Sequence, residues 1–233
     1  MSAIFKREMR AYFTSPIGYI QMAISFLFSG FYFYVYYGYG YPGSEYITLN
    51  AAPILMLIVP INTMRLMSED KRQKIDQALL TAPVNIGEII MGKFFAALTM
   101  LFICNSMLIV YHIIFSCYVT LNWLIFLNCF VSLMLLCAAL VAMGMFISSL
   151  TESTAISFIL SLFACLLVMF FSQLVGMIGV DWLTKTAEFF DFYERFSATA
   201  TGVLNLADVV FFVSFTAIFL FLSMRSLEKK RWS

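Results

Sequence analysis

Lysine and arginine are absent from residue 11 to 64 and again from 94 to 184, and in both gaps apolar residues run far longer than a soluble core helix requires. A hydrocarbon core of about 30 Å takes about 20 helical residues to cross. On that measure the pattern predicts six spans, at about 17–37, 47–66, 86–118, 123–149, 154–177 and 208–225. The run from Phe94 to Thr151 carries no acidic or basic residue and holds two helices, with a break at Val119-Thr120-Leu121-Asn122. The first span follows Phe5-Lys6-Arg7-Glu8-Met9-Arg10 and has no small-residue cleavage site in a usable place, so it reads as a retained span rather than a signal peptide. The expected fold class is therefore an all-α polytopic membrane protein, residues 1–233 forming a single transmembrane domain.

The segments between the spans are patterned too. At 100° per residue Ile4, Phe5, Met9, Tyr12 and Phe13 share one half of a helix and Lys6, Arg7 and Arg10 the other, which predicts a short interfacial helix. Glu8 falls on the apolar half, against the pattern. Thr14-Ser15-Pro16 ends that helix and opens span one, proline being tolerated in a first turn. Residues 65–93 form a charged island holding nine of the chain's 27 charged residues (14 basic plus 13 acidic). Within it Ile75 to Ala82 predicts a short helix stopped by Pro83. Asn85-Ile86-Gly87-Glu88 resembles a capping box. An unbroken helix from Ile86 to about Tyr118 would measure about 50 Å, so its first turns would project beyond the bilayer. Between spans five and six, Lys185 with Glu188 and Asp191 with Arg195 stand at helical pair spacing. Phe189, Phe190, Phe192, Tyr193 and Phe196 crowd the same stretch, predicting helix at or partly within the outer interface. Tyr32, Tyr34, Tyr36, Tyr37, Tyr39 and Tyr41 cluster at one end of span one, as an interfacial aromatic belt does.

Composition agrees with the spans: 62% of residues are hydrophobic and 12% charged, against about 25% charged in soluble domains. The net charge of +1 says little, but its distribution orients the chain. With six spans, twelve of the fourteen basic residues fall on one side and only Lys185 and Arg195 on the other. The positive-inside rule makes the twelve cytoplasmic, with both termini. The chemistry of the spans is sparse. Cys104, Cys117, Cys129, Cys137 and Cys165 all lie in apolar segments without a C-x-x-C pair and read as small hydrophobes. Gly87-Glu88-Ile89-Ile90-Met91-Gly92-Lys93 fits the first seven positions of a P-loop, but Phe94 stands where Ser or Thr should hold magnesium and no strand precedes it. Lys93 is instead expected to snorkel to the headgroups. Gly38-Tyr39-Gly40 lacks the context of a potassium filter. His112 is expected to be a hydrogen-bonded structural residue, and Asn62, Asn105, Asn128 and Gln173 to hydrogen-bond between helices. The spans lack the paired acids or several histidines of an intramembrane enzyme and carry no charge near mid-depth, which argues against an ion-coupled pump.

The segments FKREMRAYFTSPIGYI, PINTMRLMSEDKRQKIDQALLTAPVNIGEIIMGKF, GMFISSLTESTAISFIL and FLFLSMRSLEKKRW, in that order, resemble the permease subunit of ABC-2 type ABC transporters. They are most similar to the permeases of gliding-motility and nitrous oxide reductase maturation systems, and the resemblance covers essentially the whole chain. It implies six helices behind an amphipathic elbow helix (Phe5, Lys6, Arg7, Arg10, Tyr12) and a cytoplasmic coupling helix between helices two and three. Asp76, Gln77, Leu79, Leu80, Thr81 and Pro83 would contact the ATPase, with Arg65, Glu69 and Lys93 as the cytoplasmic anchor. It also implies short external helices between helices five and six (Phe189, Phe192, Tyr193). The family often carries Gly-Thr before the coupling helix, where Lys74-Ile75 stand here. The implied partners are two ATPase subunits holding ATP and magnesium, a second permease subunit identical or related to this one, the bacterial inner membrane, and an extracytoplasmic accessory protein. Neither catalysis, a bound cofactor or metal, nor nucleic acid is expected of this chain. The alternative reading is a stand-alone channel or facilitator gated by the island.

Overall fold

In the computed structural model the described residues are 1–40, 44–74, 85–177, 191–198 and 205–231. Every regular element among them is a helix: α1 (Ser2–Thr14), α2 (Pro16–Gly38), α3 (Ser44–Thr63), α4 (Ser68–Arg72), α5 (Ile86–Asn105), α6 (Met107–Ser116), α7 (Trp123–Leu150), α8 (Thr154–Gly176), α9 (Phe192–Ala198) and α10 (Leu206–Arg231). Six stretches are long and apolar enough to cross a membrane: α2, α3 continued by α4, α5 continued by α6, α7, α8 and α10. The chain is thus a multi-pass membrane protein by length and composition. The third stretch is not one rod. Asn105 back-bonds its amide to the Leu101 carbonyl at 2.9 Å, and Ser106 interrupts the ladder between α5 and α6. Asn105 therefore serves its own helix rather than a neighbouring one. The predicted break before span four is present, with Asn122 capping α7 by accepting the Leu124 N–H at 3.0 Å. The final span is longer than the expected 208–225.

α3 and α7 form the centre, and α2, α8 and α10 are the most exposed of the spans. Close approach at the centre depends on a missing side chain: a Cβ on Gly144 of α7 would sit 2.4 Å from Thr63 Oγ1 of α3. The buried faces of the outer spans run at helical spacing, Gly18, Gln21, Ser25 and Ser29 on α2 and Ser157, Ser161, Cys165 and Met169 on α8. Small and weakly polar residues at such faces let helices approach where lipid offers no hydrophobic incentive to associate. Ser25 adds a bond across the contact, its hydroxyl donating to the Cys104 carbonyl of α5 at 2.9 Å. α3 carries Pro53 and Pro60 within its length, which neighbouring helices make tolerable in a span.

Both ends of the chain lie at the same end of the bundle. The Met1 ammonium reaches Glu88 at the start of α5 at 2.8 Å. Near the other terminus the Ser226 hydroxyl donates to the Ser149 carbonyl at 3.4 Å, and Lys71 Nζ of α4 donates to the same carbonyl. Ser148 completes this seam by accepting the N–H groups of Met67 and Ser68 at 3.2 and 3.1 Å. We call this the basic end. At the opposite end α9 packs on α10, Phe192 lying 4.8 Å from Phe215 and 5.0 Å from Phe211 between ring centroids. Asp191 accepts the Glu194 N–H at 2.9 Å, while Arg195 reaches Asp208 of α10 at 2.6 Å and lies over the Phe211 ring. The expected pair of Lys185 and Glu188 lies outside the described residues, as does Phe189. The tyrosine cluster divides: Tyr36 accepts the Asn50 amide at 2.8 Å and stacks on Tyr46, while Tyr34 and Tyr39 face outward. His112 is buried against Phe126 (4.1 Å) and Trp123 (4.4 Å). Four of the five cysteines are buried and Cys117 is exposed.

The turn after α4 ends on Lys74, the one non-glycine residue with positive φ (56°) among those described. That region costs an L-residue about 1–2 kcal/mol. Two predictions follow from these backbone constraints. Gly144→Ala should destabilise the detergent-solubilised protein by about 1–3 kcal/mol, seen as a lowered thermal unfolding midpoint, whereas Gly38→Ala, with no neighbour within 4 Å of its Cβ, should leave the midpoint unchanged. Lys74→Gly should raise the same midpoint, the relief of left-handed strain exceeding the added freedom of the unfolded chain by about 0.5 kcal/mol.

Candidate functional site

The basic end is organised around Lys93. Its side chain is 1% exposed, and its ammonium lies 2.9 Å from Glu8 Oε1 and 2.7 Å from Asp70 Oδ2, also donating to the Leu66 carbonyl. The two carboxylates come from different elements, Glu8 from α1 and Asp70 from α4, and Lys93 belongs to α5. Arg7 closes the cluster from outside, its Nη2 lying 2.6 Å from Glu8 and 3.2 Å from Asp70. Burial opposes the Arg7 charge, yet hydrogen bonding to Glu8 and the charges of Glu8 and Asp70 more than offset it and raise its pKa above the usual value. A charge taken out of water is tolerated only when paired and hydrogen-bonded, and here each partner supplies part of what the others need.

The expected snorkelling of Lys93 to the headgroups is therefore corrected. The same contacts explain Glu8, the acid on the apolar half of α1: that half faces the bundle, and Glu8 faces Lys93. Ile4, one turn earlier, packs on the backbone of α5 at Gly92, where a Cβ would come within 3.1 Å of Ile4 Cγ2 and 3.3 Å of the Met1 carbonyl. The second glycine of the incomplete P-loop is thus a packing contact between helices. The capping box does not form by side chain. Asn85 precedes α5 without a side-chain cap bond, and the Glu88 carboxylate takes the Met1 ammonium instead.

A second tether runs from Tyr12. Its hydroxyl donates to the Asn62 carbonyl at 2.9 Å, one of the last carbonyls of α3, which lack a partner within the helix. Burial holds the Tyr12 phenol well above its usual pKa, so it stays a donor. The Asn62 amide donates onward to the Ala97 carbonyl of α5 at 2.9 Å, the interhelical bond expected of it. The third tether is Arg65, which grips Glu69 with two nitrogens at 2.6 and 3.1 Å and donates through Nη1 to Ser15 Oγ at 2.8 Å. Ser15 also accepts the Ile17 N–H, so one hydroxyl fixes the corner between α1 and α2. That corner is tight: a Cβ on Gly18 would stand 2.3 Å from the Tyr12 carbonyl oxygen. Beside the cluster opens a cavity of about 360 Å³ lined by Arg7, Glu8, Tyr12, Ser15, Arg65 and Asp70 among others.

Of the residues expected here, Arg65, Glu69, Lys93, Arg7 and Tyr12 are brought together, and Phe5 is half-buried on the inner face of α1. Lys6 and Arg10 point outward and exposed. Phe192 and Tyr193 lie at the opposite end of the bundle. Asp76, Gln77, Leu79, Leu80, Thr81 and Pro83 lie outside the described residues. Sequence reasoning missed Asp70 and Ser15 as members of the site and read Glu8 as a misfit. The signal for Glu8 was present: a lone acid on the apolar face of a basic helix calls for a buried cation, and Lys93 follows a glycine that admits a close neighbour. No protein-family model matches the chain, and no curated protein matches it.

Removing the buried cation should expose the dependence of the cluster on it. Lys93→Met is expected to cost about 3–5 kcal/mol by leaving two largely buried carboxylates with only the partly exposed Arg7 guanidinium between them, measured as loss of folded protein on heating in detergent. Adding Glu8→Gln and Asp70→Asn to Lys93→Met should restore most of that loss. A triple variant no more stable than the single one would show that the ion triad is not what holds α1 in place.

Proposed function

We propose that the chain is the membrane-spanning permease subunit of an ABC-2 type ATP-driven transporter, lying in the bacterial inner membrane with both termini cytoplasmic. The sequence resemblance suggests the class. The observation that carries the mechanism is the ion cluster, which ties α1 to the helices on both sides of residues 75–84: Asp70 stands before that segment and Lys93 after it. A push delivered to the segment would reach α3 through α4, α5 directly and α1 through Glu8, so the three would move as one body. Lys74 adds support. It stands where the family often has the glycine of Gly-Thr, and its φ of 56° is one that glycine adopts freely.

In this reading residues 76–82 form the coupling helix. Leu79, Leu80 and Pro83 supply its apolar contact, Asp76, Gln77 and Thr81 set its docking, and Arg65, Glu69 and Lys93 anchor it. ATP and magnesium are held by two copies of a separate ATPase subunit, and a second permease subunit completes the pathway. ATP-driven closure of the ATPase pair moves the tethered helices, which export a substrate or transmit force to an extracytoplasmic partner.

The test is co-purification of an ABC-type ATPase subunit with this chain from its native membrane, followed by ATP turnover in liposomes. Leu79→Asp combined with Leu80→Asp should abolish association and stimulated turnover while leaving insertion of the six spans intact. Undiminished association and turnover would overturn the coupling role, and substrate flux from this chain alone would favour a stand-alone channel.

A further inference from the structure

The cavity at the basic end has a composition that the ion cluster alone does not explain. It lies where the first turn of span one begins, with Ile17 and Gly18 in its wall and Arg7, Glu8 and Asp70 around it. Two cations (Arg7, Arg65) and three carboxylates (Glu8, Glu69, Asp70) line it, with Lys93 buried behind Glu8 and Asp70, so the lining offers both signs with one acid in excess. Their hydrogen-bonding capacity is only partly used. Arg7 engages Glu8 and Asp70 through Nη2 alone, leaving Nε and Nη1 without a protein partner among the described residues. Glu8 uses Oε1 for both of its cations and Asp70 uses Oδ2, leaving Glu8 Oε2 and Asp70 Oδ1 uncommitted. The residues that carry these uncommitted donors and acceptors line the same 360 Å³ space, beside the first turn of span one.

We propose that this cavity binds the headgroup of a phosphatidylethanolamine molecule, the phosphate accepting from Arg7 and the primary ammonium donating to Glu8 and Asp70. The chemistry selects among lipids. A phosphate oxygen can accept one charge-assisted hydrogen bond from the Arg7 Nε or Nη1, the Nη2 hydrogens being engaged by Glu8 and Asp70. A primary ammonium carries three N–H donors for carboxylate oxygens. Choline carries none, so phosphatidylcholine would leave the acceptors unpaired. An anionic headgroup such as phosphatidylglycerol would bring no cation to them and would add a negative charge to a lining that already holds one acid in excess. This rests on the membrane placement of the six spans and not on the transporter reading.

The test uses the full chain, with any subunit that co-purifies, in nanodiscs of equal parts phosphatidylethanolamine, phosphatidylcholine and phosphatidylglycerol. Lipid retained after transfer to mild detergent is read by native mass spectrometry. One phosphatidylethanolamine per chain should be retained, about tenfold over either competitor, the ratio expected for losing one charge-assisted hydrogen bond. Arg7→Gln should cut that retention about tenfold. Ala11→Phe, which fills the cavity from its lining with every charge in place, should do the same with helicity unchanged by circular dichroism, and it decides the matter if Arg7→Gln fails to fold. Equal retention of the three lipids, preference for phosphatidylglycerol, or wild-type retention by the Ala11→Phe protein would each overturn the proposal. So would a cavity occupied only by a segment of a co-purifying protein.

Discussion

Keeping an ammonium charged where 1% of its surface meets solvent is the constraint on which the basic end depends. Lys93 is satisfied from outside its own helix, by two charges that a backbone carbonyl could not replace. It takes one carboxylate from α1, one from α4, and the Leu66 carbonyl from the turn between α3 and α4. The desolvation penalty is shared across three elements, so none can leave without stranding the others. α1 would otherwise be a loosely held amphipathic helix. Ile4 in the notch of Gly92 and Tyr12 on the end of α3 add direction to that grip.

Farther into the bundle the spans are joined by another kind of contact. Between α3 and α7 the gain is close packing at Gly144 and Thr63. Between α2 and α5 it is a serine hydroxyl on a carbonyl. Single bonds of this type are worth about 0.6 kcal/mol in a membrane, far less than the stranding of a buried charge. The bundle is therefore stapled firmly at the basic end and held by many small terms elsewhere. The interruption at Ser106 and Pro53 of α3 fall in the weakly held part, where helices can bend without breaking an ion pair.

The spans were legible because a bilayer imposes one long, simple pattern, and gaps in lysine and arginine mark it directly. Their ends were legible where a local rule acts, as with Pro16 opening α2 and Asn122 capping α7. What escaped was whatever depends on a partner far along the chain. Lys93 next to an apolar run looks the same whether it snorkels or is met by Glu8, 85 residues earlier. Asn85 with Glu88 has the spacing of a capping box, but the Met1 ammonium competes for the same carboxylate. Asn105 was assigned across helices when its own ladder offered a nearer acceptor. Among the candidate residues, those on α1 and the anchor could be compared with structure, whereas the six of 76–83 rest on sequence alone.

The positions of the three charges along the chain also set an order of events during synthesis. Glu8 and Asp70 both precede Lys93, so both carboxylates have emerged before the cation that needs them. When α5 emerges, α1 and α4 are already made, and their acids can rest against water and Arg7 at little cost. Lys93 is then buried directly against them and need not pass through an unpaired state. Reversing that order, by moving the cation ahead of its acids, would give the same folded contacts but a far less favourable route to them.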